Sequence, residues 1–156
     1  MGHKEIIIAI AITLVFWLGG TTEGAEKEIT WEQFFHAIGQ VESNNDDTAE
    51  GDYSEKRKKY MAIGRYQIWE VYWFDAVERL DKDDRGQYND VRNKAYAEWI
   101  MKRYWQRYNR EAYNTKNWEV LARIHNGGPR PEGTRKRAEN TKKYWLKVKK
   151  VLDKMK

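Results

Sequence analysis

The chain has 156 residues, which indicates one domain, and 40% of them are hydrophobic, enough to form a core. It contains no cysteine and three histidines, one of them at position 3, so disulfides, thiol catalysis, thiolate metal sites and a zinc cluster are excluded. The net charge of +5 would attract polyanionic cell walls and nucleic acids alike, and does not by itself choose a partner.

Residues 1–24 are predicted to be a secretory signal peptide. Lys4 gives a positive start, and the continuous apolar run Ile6–Leu18 follows it. This run is shorter than the ~20 apolar residues that span a bilayer. We therefore expect cleavage after Gly24, a secreted or periplasmic protein, and a catalytic domain over 25–156. An uncleaved membrane anchor is the alternative.

The first helix is predicted over Trp31–Ser43. Thr30 and Gln33 have the spacing of a capping box, in which each side chain bonds the backbone N–H of the other residue. Apolar side chains recur at helical spacing along one face. They are Trp31, Phe34, Phe35, Ile38 and Val41. The polar run after Ser43 ends the helix, so Glu42 is expected in its last turn, beside the apolar face.

The rest of the chain is predicted to be mainly helical. Thr48–Ile68 is punctuated by glycines and is expected to be irregular or to contain one hairpin. The apolar periodicity then predicts four helices, over Glu70–Leu80, Asp90–Tyr108, Trp118–His125 and Ala138–Leu152. The predicted fold class is mainly α, of the α+β type, with about five helices and one small β-hairpin beside a cleft.

The position of Glu42 suits a catalytic acid. Glycoside hydrolysis needs one carboxylic acid to protonate the leaving oxygen and a second group to offset positive charge on the sugar. Burial against an apolar helix face keeps a carboxylic acid protonated near neutral pH. Asp52, beyond the turn at Gly51, is a candidate for the second group. Several other acids lie nearby, and for each of them a solvated surface position is the alternative; they are Asp46, Asp47, Glu50 and Glu55.

Three short strings carry a resemblance to a known family. They are Val41–Asn44 (Val-Glu-Ser-Asn), Gly64–Ile68 (Gly-Arg-Tyr-Gln-Ile) and Ala122–Pro129 (Ala-Arg-Ile-His-Asn-Gly-Gly-Pro). Together they resemble the signature of the lysozyme-like superfamily. With Tyr72–Asp75 and the late Tyr144-Trp145 pair, the chain is most similar to invertebrate-type lysozymes and their bacterial relatives. The resemblance covers about residues 31–148.

The resemblance implies a muramidase, which cleaves peptidoglycan between N-acetylmuramic acid and N-acetylglucosamine. By position, Glu42 matches the general acid of the family and Asp52 matches its second carboxylate. No metal or cofactor is implied, and peptidoglycan glycan strands are the expected partner of a monomer. The positions that the resemblance assigns to substrate binding are Ser43, Tyr66, Gln67, His125, Asn126 and Gly127.

Two departures from the family keep alternatives open. The animal family is rich in disulfides, whereas this chain has no cysteine, and Glu55–Tyr60 looks like an insertion. If the insertion displaces Asp52, Glu55 is the reserve second carboxylate, or Glu42 acts alone as in lytic transglycosylases. A non-catalytic glycan-binding module is a further alternative, while the export signal argues against a nucleic-acid partner. For His125 and Tyr66, a purely structural role is the alternative to contact with the substrate.

Overall fold

The computed structural model describes residues 28–156, so the predicted signal peptide lies outside the described residues. This part of the chain is mainly helical, with two small antiparallel strand pairs, which confirms the predicted fold class. The α-helices are α1 (Trp31–Ser43), α2 (Glu70–Val77), α3 (Lys94–Tyr108), α4 (Arg110–Asn114), α5 (Trp118–Gly127) and α6 (Arg135–Asp153). Short 3-10 helices cover Lys82–Asp84 and Tyr88–Arg92. Among residues 28–156, no helix has the length and hydrophobicity needed to cross a membrane.

Helix α1 has the predicted bounds because both of its ends are encoded locally. The Gln33 backbone N–H donates to Thr30 Oγ1 at 3.2 Å, and the Thr30 N–H donates to Gln33 Oε1 at 2.9 Å, completing the predicted capping box. At the other end, Asn44 and Asn45 have φ values of 60° and 64°. Asparagine tolerates this left-handed conformation better than most residues, so the helix ends at Ser43, one residue after Glu42.

The core contains a cluster of large aromatic rings beneath α1. Trp31, Phe35 and the fully buried Trp105 of α3 are stacked, with centroids 5.6–5.9 Å apart. Phe34 packs on Trp118 of α5 at 4.6 Å. Aromatic pairs contribute about 0.5–1.5 kcal/mol each beyond the burial of their area. The cluster thus fixes α1 against α3 and α5 in a chain that has no disulfides.

The β region forms two hairpins where the sequence predicted one. Strands β1 (Tyr53–Ser54) and β2 (Lys59–Tyr60) form the first pair, and β3 (Ala62–Ile63) and β4 (Ile68–Trp69) form the second. The predicted insertion, Glu55–Tyr60, makes the tip and the second strand of the first hairpin. The second turns through Gly64 and Gln67, which have φ values of 76° and 46°. The prediction missed this turn because a left-handed Gln67 leaves no clear sequence signal.

Helix α3 begins at Lys94 rather than at the predicted Asp90. Asn93 is its N-cap, and the Asn93 Oδ1 oxygen accepts from the Tyr96 N–H at 3.0 Å. Asp90 caps a different element, because its carboxylate accepts from the Gln87 N–H at 2.7 Å across the preceding 3-10 helix. Two consecutive capping motifs therefore lie where the sequence predicted one.

Three other helices differ from the prediction at their ends. Helix α2 ends at Val77 and not at Leu80, α5 extends to Gly127, and α6 starts at Arg135, where the Thr134 hydroxyl caps it. Helix α4 was not predicted. Its short length leaves too few residues for an apolar period, although Asn109 caps it. Helix α6 packs against both α5 and α1, while α2 packs on α3.

Candidate active site

An open cleft of about 580 Å³ lies between the two hairpins, the end of α1 and the end of α5. Glu42 and Asp52 both line this cleft, and so do three of the six predicted substrate-binding residues. These three are Gln67, His125 and Asn126. The remainder of the lining comes mainly from the hairpins, α2 and α3.

Glu42 lies in the last turn of α1, with 19% of its side chain exposed. Its nearest charged or polar neighbours come from distant segments of the chain. His125 Nε2 lies 3.5 Å from Glu42 Oε1. The buried hydroxyls of Tyr72 and Tyr144 face the same carboxylate, although neither forms a hydrogen bond of normal geometry within 28–156. Glu42 therefore lies at a largely apolar, aromatic wall of the cleft.

Tyr72 and Tyr144 remain neutral in this wall. Burial, and after it the negative charges nearby, raise the pKa of both hydroxyls well above the ordinary value. Tyr72 also stacks on Tyr104, with ring centroids 3.6 Å apart and planes 14° from parallel. A neutral tyrosine hydroxyl remains a hydrogen-bond donor, so both side chains can donate to a carboxylate or to a bound hydroxyl group.

His125 contacts the other residues of this wall. Its side chain is almost completely buried, and its Nε2 atom lies 3.1 Å from the Tyr66 carbonyl oxygen. A carbonyl only accepts, so this contact requires a proton on Nε2. The other ring nitrogen, Nδ1, is buried without a hydrogen-bond partner among the described residues. The ring packs between Tyr72 and Tyr144, at centroid distances of 5.6 and 6.3 Å.

Asp52 enters the cleft from the first hairpin. The Met61 N–H donates to its carbonyl at 2.9 Å, and the Gly51 N–H donates to the Ala62 carbonyl at 2.9 Å. Gly51 has little room for a side chain, because an added Cβ would lie 2.7 Å from Gln67 Oε1. This close approach holds the residue before Asp52 against the second hairpin. The insertion extends away from this point and leaves Asp52 in the lining.

Glu55 occupies the tip of the first hairpin and does not line the cleft. Its side chain is 78% exposed and pairs with Lys58 at 2.7 Å. The two acids that the sequence left as alternatives therefore occupy different places. Asp52 shares a cavity with Glu42, and Glu55 is a solvated ion-pair partner.

Three predicted substrate-binding residues lie beside the cleft rather than in its lining. The Ser43 hydroxyl donates to the Arg65 carbonyl at 2.8 Å. Tyr66 is fully buried and its hydroxyl donates to Glu98 at 2.8 Å. Gly127 packs on α6, where an added Cβ would lie 2.4 Å from a Thr141 methyl group. These three positions support the walls through packing and hydrogen bonds.

Sequence reasoning missed several residues of the lining. Trp69, Val71, Tyr72 and Asp75 follow directly on the Gly64–Ile68 string, and a helix starting there brings them to one side of the cleft. Their proximity in sequence to that string was an available signal. Tyr104 offered none, because α3 reaches the cleft only through its packing on α2.

A mainly helical domain whose first helix ends in a cleft acid, with a small β region forming the opposite wall, has a lysozyme-like architecture. Residues 31–151 match the model of the destabilase family, and the chain belongs to this family. It is also 34% identical over 88 residues to lysozyme 1 of Crassostrea virginica. That match covers 56% of this chain and 43% of the oyster protein, so the chain matches less than half of its relative's length. The predicted relationship to invertebrate-type lysozymes is confirmed.

Proposed function

We propose that this chain is a muramidase, which hydrolyses peptidoglycan between N-acetylmuramic acid and N-acetylglucosamine. The observation that carries the proposal is the presence of Glu42 and Asp52 in the lining of one open cleft. Membership of the destabilase family and similarity to an oyster lysozyme support it. The glycan is the expected substrate because the half-exposed Trp69 lines the cleft and offers an aromatic face to the apolar side of a pyranose ring.

The proposed reaction assigns one role to each carboxyl group. Glu42, four-fifths buried beside neutral tyrosines, donates its proton to the glycosidic oxygen as the C–O bond breaks. Asp52, on the first hairpin, stabilises the positive charge that develops on the ring. Water then adds to the anomeric carbon, and its proton returns to Glu42. The products are a new reducing end and a free hydroxyl group, and no cofactor is required.

The residues around Glu42 hold its carboxyl group in a fixed orientation in the proposed mechanism. The hydrogen bond from His125 to the Tyr66 carbonyl fixes the imidazole beside the carboxyl group. Tyr72 and Tyr144 are both buried and face the inner side of the same carboxyl group. These residues touch the proposed acid and not the scissile bond, so they are positioning residues.

Mass analysis of the products released from purified peptidoglycan tests the proposal. New reducing ends support hydrolysis, whereas anhydro ends mean that Glu42 acts alone in a lytic transglycosylase reaction. If no products form while glycan still binds, the chain is a binding module. Cleavage after Gly24 and export of residues 25–156 remain predictions, which the intact mass of protein recovered outside the cell tests.

A further inference from the structure

A second cavity, with a volume of about 300 Å³, adjoins the cleft where α2 packs on α3. Asp75 of α2 lines both cavities, so the two meet at this residue. Four arginines dominate the lining of the second cavity, which is here called the arginine pocket. The pocket is lined by Arg79, Arg103, Arg107 and Arg110, together with Asp75, Ala76 and Gln106. The carboxylate of Asp75 is therefore opposed by four guanidinium groups.

Two of the arginines are held along the pocket by contacts with α2 and the residue that follows it. The Nε atom of Arg103 donates to the Ala76 carbonyl at 3.0 Å. Arg107 donates to the Asp75 carbonyl and to the Glu78 carboxylate. These bonds restrain both side chains, so part of the pocket has a fixed arrangement of donors.

Three of the positive charges in the pocket have no carboxylate partner within residues 28–156. They belong to Arg79, Arg103 and Arg110, whereas Arg107 pairs with Glu78. The Asp75 carboxylate accepts instead from the Tyr108 hydroxyl at 2.9 Å. Like charges around one cavity repel each other, and a bound anion would offset that repulsion. Because a guanidinium group can donate two parallel N–H bonds to one carboxylate or phosphate, the pocket suits an anionic ligand.

We infer that the arginine pocket binds carboxylate groups of the peptide stem that N-acetylmuramic acid carries in peptidoglycan. This inference rests on the proposed function. The stem leaves the sugar through its lactyl group, and its amino acids bear free carboxyl groups. An extended peptide spans about 3.3–3.6 Å per residue, so a stem of a few residues can extend from a sugar in the cleft past Asp75. The shared boundary at Asp75 favours the stem of the bound glycan over a separate polyanion.

Arg79 and Arg110 give the sharpest test, because both are exposed and neither forms a hydrogen bond or ion pair within residues 28–156. The measurement is calorimetric binding to a Glu42→Gln protein, which should bind the glycan without turning it over. The probe is a tetrasaccharide of alternating N-acetylglucosamine and N-acetylmuramic acid that carries peptide stems. Adding Arg79→Gln and Arg110→Gln together should raise its Kd about tenfold, equivalent to ~1.4 kcal/mol. The Kd of the same tetrasaccharide without stems should not change.

A lysine pair on α6 provides a matched control for net charge. Lys142 and Lys143 are exposed and line neither the cleft nor the arginine pocket. Lys142→Gln with Lys143→Gln removes the same charge and should leave the Kd of the stem-bearing sugar unchanged. Amidation of the stem carboxyl groups removes their charge while nearly keeping their shape. It should weaken binding to the Glu42→Gln protein about as much as the two arginine substitutions do, and circular dichroism checks that every variant is folded.

Several results would overturn the inference. They are an unchanged Kd in the folded double-arginine variant, an equal loss in the lysine control, and amidated stems that bind as tightly as the free acids. Poly(glycerol phosphate) binding that depends on Arg79 and Arg110, with stem binding that does not, would assign the pocket to a phosphodiester polymer instead. The proposed hydrolysis fails separately. If the wild type releases no reducing ends but stem binding still depends on these arginines, the pocket stands and the muramidase proposal falls.

Discussion

The Nε2 atom of His125 lies 3.5 Å from the Oε1 atom of Glu42. The same nitrogen lies 3.1 Å from the carbonyl oxygen of Tyr66. One imidazole thus joins the end of α5, the turn of the second hairpin and the last turn of α1. These segments are far apart in sequence, so the position of the proposed acid depends on tertiary packing as well as on its own helix.

Glu42→Gln removes the proposed proton donor while nearly preserving the shape of the side chain. General acid–base catalysis contributes typically ~10²–10⁴-fold, so the release of reducing ends from peptidoglycan should slow by at least that order. Glu32→Gln is the matched control, since Glu32 is an exposed acid in the first turn of the same helix. Wild-type turnover by Glu42→Gln would refute the assignment of the acid.

His125→Ala should destabilise the fold as well as reduce activity. The change deletes the donor to the Tyr66 carbonyl and leaves a cavity between two tyrosine rings. An unsatisfied buried polar group alone costs about 1–3 kcal/mol. Urea unfolding measures the loss, and His36→Ala on the exposed side of α1 should be nearly neutral. Equal free energies of unfolding for the two variants would contradict the structural role of His125.

The parts of the site that sequence predicted well are those with local signals. Helix α1 and the place of Glu42 in it follow from a capping box, an apolar period and a polar stop within a short stretch. The turns of the two hairpins require positive φ values at Lys58 and Gln67, and these residue types have no strong preference for such values. The sequence therefore indicated a hairpin region but not its division into two pairs.

The direction in which each side chain points could not be predicted from the sequence. Tyr66 and Gln67 are neighbours in one string, yet Tyr66 enters the core and Gln67 lines the cleft. Their opposite directions follow from the turn geometry, which the sequence did not reveal. Tyr104 reaches the cleft from α3 only because α2 packs there. Such contacts arise between elements and leave no pattern within either one.

The buried tyrosines predict a loss of stability in alkali. Burial raises the pKa of Tyr88 to about 12, from an ordinary 10, and also raises the pKa values of Tyr66, Tyr72, Tyr104 and Tyr144. The folded state then holds these protons more tightly than the unfolded state. The contribution of these neutral hydroxyls to the free energy of unfolding is fully present below about pH 10. It is lost as the pH rises through 12 and above. Urea unfolding across this range should show a falling free energy of unfolding.

Tyr88→Phe isolates one member of this group. It removes a titrating hydroxyl and its 2.7 Å hydrogen bond to the Ile68 carbonyl, so stability at neutral pH should fall by about 1 kcal/mol. The decline of stability above pH 10 should become shallower than in the wild type. Tyr53→Phe, at an exposed position, is the control. A free energy of unfolding that stays flat through this range would show that these hydroxyls ionise equally in both states.

The pair Asp52 and Glu55 separates the two-carboxylate mechanism from its alternatives. Asp52 lines the cleft with Glu42, while Glu55 pairs with Lys58 at the hairpin tip. If Asp52 stabilises positive charge on the sugar, Asp52→Asn should reduce the release of reducing ends about as strongly as Glu42→Gln. Glu55→Gln should change it little, and should alter stability by no more than about 1 kcal/mol, because exposed ion pairs contribute little.

Product chemistry completes this test. Asp52→Asn protein should form few products of any kind, because the developing charge on the sugar then lacks its counter-ion. If instead Asp52→Asn retains full activity and yields anhydro ends, the single-acid reaction is correct and Asp52 only lines the cleft. If Glu55→Gln is the inactive variant, the first hairpin must close over the bound glycan and bring its tip to Glu42. Assaying both variants on one peptidoglycan preparation distinguishes the three mechanisms, because each predicts a different combination of rate and end group.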